Sequence, residues 1–167
     1  MSSPALHGTD SEIHSRILLK NGAIPNFPNN RLQTPLHFAI ETSGPRLGLI
    51  QCLIEYNANP NVKDGDGNTP LHLAIMKGSN DGTAHLLVRT LLDAKANPSL
   101  KNSAGKDAVA LTRDCIAPIT KSTPQWRKNS IQAHYINDYL KIIDMFEAVM
   151  PESVRRQSSL SPPLAQG

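Results

Sequence analysis

The stretch DGDGNTPLHLAI, residues Asp64–Ile75, decides how this chain folds. Its two Asp-Gly pairs favour a hairpin-like turn, because glycine adopts a positive φ without a Cβ clash. Thr69 suits the N-cap of a helix, and Pro70 suits the first helical position, where a missing N–H costs no hydrogen bond. An apolar triplet at i, i+3 and i+4 follows, which is the spacing of one buried helical face. The stretch therefore predicts a tight turn that leads directly into an amphipathic helix.

An earlier near-copy of this stretch makes the sequence a repeat. TPLHFAI at Thr34–Ile40 matches TPLHLAI at Thr69–Ile75, 35 residues later. A separate marker keeps nearly the same period, since AIPN at 23–26 returns as ANPN at 58–61 and as ANPS at 96–99. Two independent markers in phase predict a stack of similar units.

Each unit contains a second, longer apolar helix between the two markers. An earlier helix, marked by Ile13, Ile17 and Leu18, is expected to end near Gly22, which suits a left-handed C-terminal cap. One helix pair cannot hide its apolar face alone, so we expect stacking of the units to bury a continuous core. The apolar residues of the later second helices are Leu47, Leu49, Ile50, Leu53 and Ile54 in one unit, and Leu86, Leu87, Val88, Leu91 and Leu92 in the next.

The repeat pattern weakens after a third turn at Gly105. The helix predicted to begin at Asp107 has lost the Pro and His of the earlier copies, and 117–130 is predicted to be a polar connection. A long one-sided helix should follow and cover the end of the stack, because a solenoid otherwise leaves an apolar face in water. Its apolar stripe comprises Ile131, Tyr135, Tyr139, Ile142, Phe146 and Val149. The Ser- and Pro-rich segment 151–167 predicts disorder.

The motifs at 66–74, 76–78 and 96–98 resemble those of the ankyrin-repeat family. The resemblance implies an all-α solenoid of helix-turn-helix units, with hairpin-like finger turns and a C-terminal capping helix. Insertions relative to the family period of about 33 residues are expected between helices, at Ser43–Arg46 and after Gly78. The implied segments are 1–30, a degenerate N-terminal unit; 31–63 and 66–100, two repeats; 101–150, a degenerate unit plus the capping helix; and 151–167, the tail.

The resemblance also implies a concave face that binds partner proteins, built from the finger turns and the exposed parts of the shorter helices. By motif position this concave face comprises Asn30, Arg31, Gln33, Glu41, Thr42, Gly65, Asp66, Asn68, Met76 and Lys77, with Ser103, Ala104 and Lys106 as additions from the third unit. Met76 is the best apolar candidate, because its flexible thioether adapts to irregular shapes. Structural roles are implied for Thr34, Pro35, Leu36, His37, Thr69, Pro70, Leu71 and His72. The two histidines are expected to hydrogen-bond to the motif threonine and to nearby backbone.

The sequence predicts no catalytic site, metal site or cofactor. Cys52 and Cys115 fit neither a disulfide framework nor zinc-ligand spacing, and both lie in apolar contexts. No phosphate-binding loop, nucleophile elbow or His-Glu-x-x-His motif occurs. A thiol-dependent enzyme that uses Cys115 is the rival hypothesis. We expect a monomer, and an array that assembles on itself is a further alternative.

Charge and hydropathy limit the class of partner. The formal net charge is +3, and the lysines and arginines are scattered, which gives nucleic-acid binding little support. No window approaches the ~20 apolar residues of a membrane span, and the N-terminus does not resemble a signal peptide. We therefore expect a cytoplasmic protein that binds another protein, not nucleic acid or membrane. A more specific hypothesis is a secreted effector or viral-type regulator that engages a signalling or transcription factor inside a host cell.

Overall fold

The computed structural model describes residues 12–42, 47–77, 84–121 and 130–150, with the backbone alone for 118–121 and 130–135. Within these ranges the secondary structure is helical and no strand occurs, so the all-α class is confirmed. The helices are α1 (Glu12–Lys20), α2 (Pro35–Glu41), α3 (Leu47–Glu55), α4 (Pro70–Lys77), α5 (Ala84–Asp93), α6 (Ala108–Lys121) and α7 (Ser130–Val149).

The helices form two packed rows, as a repeat solenoid requires. The helices α2, α4 and α6 lie side by side in an inner row. The outer helices α3, α5 and α7 each pack on the inner helix that precedes them in the chain, and α1 packs on α3. Both predicted insertions, at Ser43–Arg46 and after Gly78, fall between an inner helix and its outer partner, largely outside the described residues.

The inner helices begin where the repeated Thr-Pro-Leu-His motif predicts. α2 starts at Pro35 and α4 at Pro70, and Thr34 is the extended N-cap of α2 with φ −78° and ψ 165°. The leucines that follow the prolines are fully buried. The motif therefore sets the start of each inner helix and directs its first apolar side chain into the core.

The outer helices end in one repeated cap, which is located at the alanine of the second sequence marker. The N–H of Ala23 donates to the carbonyl of Leu18 at 3.0 Å, and the later two alanines repeat this bond at 2.9 Å. Such a bond requires a left-handed residue just before the alanine. That residue is Gly22 (φ 88°), Asn57 (φ 64°) or Lys95 (φ 67°) in the three units.

The packed side of α1 differs from the side that its apolar residues suggest. Helix α1 and the left-handed Gly22 after it are confirmed. However, Ile13 and Ile17 are 68% and 51% exposed, whereas Ser15 and Leu19 are buried. Two of the three apolar markers of this helix therefore lie on its solvent side.

Helix α7 covers the C-terminal end of the stack by packing on α5 and α6. The hydroxyl of Tyr139 donates to the carbonyl of Ile75 at 3.1 Å in a buried site, which ties α7 to the inner row. The predicted stripe is wrong at its end, because Val149 is exposed and Met150 is buried instead. Side chains of Ile131 and Tyr135, and the tail at 151–167, lie outside the described residues.

The polar connection predicted over 117–130 is wrong at its start, because α6 continues through Pro118 to Lys121. Proline inside a helix removes one hydrogen bond but does not always end the helix. No helix in the described ranges combines the length and apolar character that crossing a bilayer would need.

Candidate partner-binding surface

Three finger turns precede the inner helices and share one hydrogen-bond pattern. Asp64 Oδ1 accepts hydrogen bonds from the N–H groups of Asp66 and Asn68, at 3.0 and 2.8 Å. Asn29 and Asn102 accept the equivalent bonds in the first and third turns, at 2.9 to 3.1 Å. An Asn or Asp side chain thus closes each turn from within, a common role for these residues.

Backbone hydrogen bonds connect the three turns into one row. Gly65 N–H donates to the carbonyl of Arg31 at 2.9 Å, and Ser103 N–H donates to the carbonyl of Asp66 at 3.1 Å. Gly67 has φ 73°, and a Cβ atom there would lie 2.7 Å from the backbone nitrogen of Ser103. Glycine is therefore required at Gly67 both by backbone conformation and by the close approach of the next turn.

His37 and His72 connect each inner helix to the turn that follows. In the first copy, the N–H of Thr34 donates to Nδ1 of His37 at 3.1 Å, and the threonine Oγ1 lies 2.8 Å from the same atom. Because Nδ1 accepts, the ring proton lies on Nε2, which donates to the carbonyl of Asn68 at 3.1 Å. These are the contacts that the resemblance implied.

The second histidine repeats this geometry and the same electrostatics. His72 Nδ1 accepts from the N–H of Thr69 at 3.2 Å, and Nε2 donates to the carbonyl of Lys106 at 3.0 Å. Burial lowers the pKa of His37 and of His72 below the ordinary value of 6.5, because it disfavours the charged ring. Both rings are therefore neutral structural links between units.

A sequence profile described as ankyrin repeats, in three copies, matches residues 5–102. The chain belongs to the ankyrin-repeat family. Repeat proteins of this kind use extended concave surfaces for binding. The exact segment boundaries given above remain a prediction.

Two relatives illustrate the extent of the similarity. NF-kappa-B inhibitor alpha of Rattus norvegicus is 46% identical over 56 residues, which cover 34% of this chain and 17% of that protein. Rabankyrin-5 of Mus musculus is 32% identical over 121 residues, which cover 66% of this chain and 10% of that protein. The chain thus spans only a small part of the length of these ankyrin-repeat relatives.

Six residues predicted for the concave face of this ankyrin stack are exposed. Met76 is 37% exposed and is the one apolar side chain among them. Their contact with a partner protein remains a prediction. The six are Asn30, Arg31, Glu41, Gly65, Asp66 and Met76.

The other four predicted residues have internal roles. Gln33 is buried and donates to Glu41 Oε2 at 2.9 Å, and Asn68 is buried and accepts from the Asn102 side chain at 2.9 Å. The Thr42 hydroxyl donates to the carbonyl of Phe38 at 3.2 Å. Sequence position placed these four near the surface, but their hydrogen-bonding groups are directed into the scaffold.

Lys77 is the fourth of these residues, and it caps helix α2. Its ammonium group donates to the carbonyl of Thr42 at 2.6 Å and also to the carbonyl of Glu41. The last carbonyls of a helix lack partners within the helix, and a lysine there also complements the helix dipole. Replacing Lys77 would therefore disturb α2 as well as the surface, so it is a poor probe of binding.

The three additions from the third unit are exposed. Ser103, Ala104 and Lys106 all lie in the third finger turn. Lys106 Nζ also forms an ion pair with Asp114 at 2.7 Å, between two exposed side chains.

Leu32 is a surface residue that the motif comparison did not select. It is 56% exposed and has φ 58°, a conformation that a leucine rarely adopts. Gly67 and Gly105 occupy the same place in the later turns, with φ 73° and 72°. The signal in the sequence was a leucine where both later copies have glycine.

The cysteines do not favour the thiol-enzyme hypothesis. Cys52 is fully buried and Cys115 is half-buried. Burial raises the pKa of both thiols, which reduces the fraction of reactive thiolate. In the part of the chain that the structure describes, no three His, Cys, Asp or Glu residues are grouped as a metal site would need.

Proposed function

We propose that this chain binds a partner protein on its concave face and performs no catalytic step. The observation that carries the proposal is the hydrogen-bonded row of finger turns, which presents exposed side chains on a connected backbone. Preorganised loops lose little conformational freedom when a partner docks, so more of the contact energy contributes to affinity. The turns linked through Arg31, Gly65, Asp66 and Ser103 meet this condition.

The chemistry of the exposed residues favours a partner with a small apolar contact inside a polar rim. Leu32 and Met76 supply apolar area, and Arg31, Asp66 and Glu41 supply charges of both signs. Protein interfaces commonly combine a desolvated centre with a hydrogen-bonding periphery. The mixed charge disfavours a polyanion as the partner, so a folded protein is the better fit.

A matched pair of triple variants tests the proposal. The first combines Arg31→Ala, Asp66→Ala and Met76→Ala on the concave face. The control combines Gln51→Ala, Arg89→Ala and Leu86→Ala, which are exposed positions on the outer helices. Affinity capture with quantitative mass spectrometry should lose its partner only for the first variant, while both variants keep the wild-type melting temperature. Equal capture by both variants would place the binding surface elsewhere.

A second candidate, a regulator that binds a transcription factor of the NF-kappa-B type, is favoured by one observation. The similarity to NF-kappa-B inhibitor alpha reaches 46% identity over 56 residues. Sedimentation velocity of the full chain mixed with purified NF-kappa-B tests it directly, and absence of a faster-sedimenting complex at high micromolar concentration would reject it. The cytoplasmic location and the effector hypothesis remain predictions.

A further inference from the structure

A groove of about 500 Å³ lies where the outer helices α5 and α7 end. One wall is formed by the end of α5 and the loop 95–99 after it, and the other by Val149 and Met150. Val149 is 55% exposed on this wall, whereas Met150 is buried. We call this surface the α5–α7 groove. No residue predicted for the concave face lines it, so it is a separate surface.

The loops that follow the earlier outer helices show what normally lies against such a wall. Asn26 Oδ1 accepts from the N–H of Asn59 at 2.7 Å, and its Nδ2 donates to the carbonyl of Asn57 at 3.1 Å. Asn61 makes the same two bonds to the loop after α5, at 2.7 and 3.1 Å. The chain that follows an outer helix thus lies against the loop of the preceding unit.

The third copy of this arrangement lacks the amide that makes both bonds. Ser99 occupies the place of Asn26 and Asn61 in the repeat. Its short hydroxyl does not extend a separate donor and acceptor to the next loop, as an asparagine side chain does. Chain that follows α7 should therefore lie against the loop 95–99, as in the earlier units, but be held by other contacts.

We propose that residues 151–156, which follow α7 directly, occupy the α5–α7 groove of their own chain. The segment starts next to Met150, which already lies on the groove wall. Six extended residues span about 20 Å, so the segment is long enough to cross to the opposite wall. The proposal departs from the sequence-based expectation of disorder for these six residues only.

The charges of the segment and the groove are complementary. Asp93 and Lys95 are exposed on the wall, and within the described ranges neither forms an ion pair. The segment carries Arg155 and Arg156, which can pair with Asp93, and Glu152, which can pair with Lys95. Complementary charges also fix the orientation of a docked segment.

Covalent attachment favours this segment over a separate protein as the occupant. A segment joined directly to the groove has an effective concentration on the order of millimolar, so weak contacts are enough to hold it. Exposed ion pairs are weak contacts of this kind. Val154 adds apolar area that can cover the exposed Val149.

Paramagnetic relaxation enhancement, measured by NMR on the full chain, tests the proposal. A nitroxide label is attached at Ser158→Cys in a Cys115→Ala background, because the fully buried Cys52 should not react. The label should strongly broaden the amide signals of 95–99. It should broaden the signals of α1, at the other end of the outer row, only weakly.

Charge exchange in the labelled chain tests the orientation. Asp93→Lys should lower the ratio of docked to free segment about fivefold, the effect of one exposed ion pair. Adding Arg155→Glu and Arg156→Glu should restore the broadening. The control Asp144→Lys, at an exposed position on α7, should leave the broadening unchanged. Circular dichroism should show the same helix content in every variant.

Three results would overturn the proposal. The first is a wild type in which the signals of 95–99 are not broadened. The second is broadening that persists in Asp93→Lys, or that the added exchange at Arg155 and Arg156 fails to restore. The third is broadening that occurs only between molecules, in a mixture of isotope-labelled and spin-labelled copies, which would assign the groove to the segment of a second copy.

Discussion

His37 Nε2 lies 3.1 Å from the backbone carbonyl of Asn68 and donates a hydrogen bond across the boundary between two repeats. Its other nitrogen accepts from the N–H of Thr34, in its own repeat. One neutral ring thus accepts a hydrogen bond from the N-cap residue of α2 and donates one to the next finger turn. His72 connects the next two units in the same way, because its Nδ1 accepts from the N–H of Thr69 and its Nε2 donates to the carbonyl of Lys106.

Lowering the pH should destabilise the stack through these two rings. Because burial lowers the pKa of His37 and His72, the unfolded chain takes up protons more readily than the folded one. The contribution to stability is complete above the unfolded value of 6.5 and is lost as pH falls through the lowered folded pKa. Urea unfolding at about pH 7.5 and about pH 5.5 measures the change. In a double variant, His37→Gln with His72→Gln, the free energy of unfolding should change less with pH. A change as large as that of the wild type would contradict the assignment to these two histidines.

Substitutions at two glycines distinguish the cost of a strained backbone conformation from the cost of a steric clash. Gly105 has φ 72° and open space around it, so Gly105→Ala should cost only about 1 kcal/mol for the left-handed conformation. Gly67→Ala adds a collision with the backbone of Ser103 and should cost at least about 2 kcal/mol. Denaturant unfolding of both variants measures the difference. Equal costs would show that the third turn moves away from the added methyl group without loss of stability.

Replacing Leu32 should separate stability from binding. Leu32→Gly removes the strain of a leucine in the left-handed backbone conformation, but glycine also loses more conformational entropy on folding. The net effect should be a stabilisation of the fold by about 0.5 kcal/mol. It should nevertheless weaken partner capture, because an exposed apolar contact is lost. Lys95→Gly relieves the same strain at φ 67° beyond α5, away from the finger turns, and should leave capture intact. A Leu32→Gly variant that captures normally would remove Leu32 from the surface.

Loss of the Lys77 side chain should destabilise the protein even without a partner. Lys77→Ala leaves the last carbonyls of α2 without their ammonium donor and should cost about 1–2 kcal/mol. Arg31→Ala is the control, because Arg31 is exposed, and its change should stay within about 0.5 kcal/mol. Thermal and urea unfolding measure both. Equal stability of the two variants would show that Lys77 is not a cap.

Much of the architecture was predictable because it is local. The Thr-Pro-Leu-His motif specifies where α2 and α4 begin, and the Asn or Asp that opens each turn acts within five residues. The solvent exposure of the residues assigned to the concave face was only partly predictable. Gln33 and Asn68 were assigned to it by position, yet neighbouring chain buries both, and a sequence period cannot show which side of a residue a later unit will cover.

The sequence by itself determined the repeat, its two helices per unit and the turns between them, since each depends on contacts within a few residues. Only the tertiary structure decided which groups became links between units and which became surface. Lys77 caps another helix, while Ile13 and Ile17 remain exposed on α1. The Lys77 cap depends on residues about 35 positions apart meeting in space, and that proximity exists only once the units have stacked.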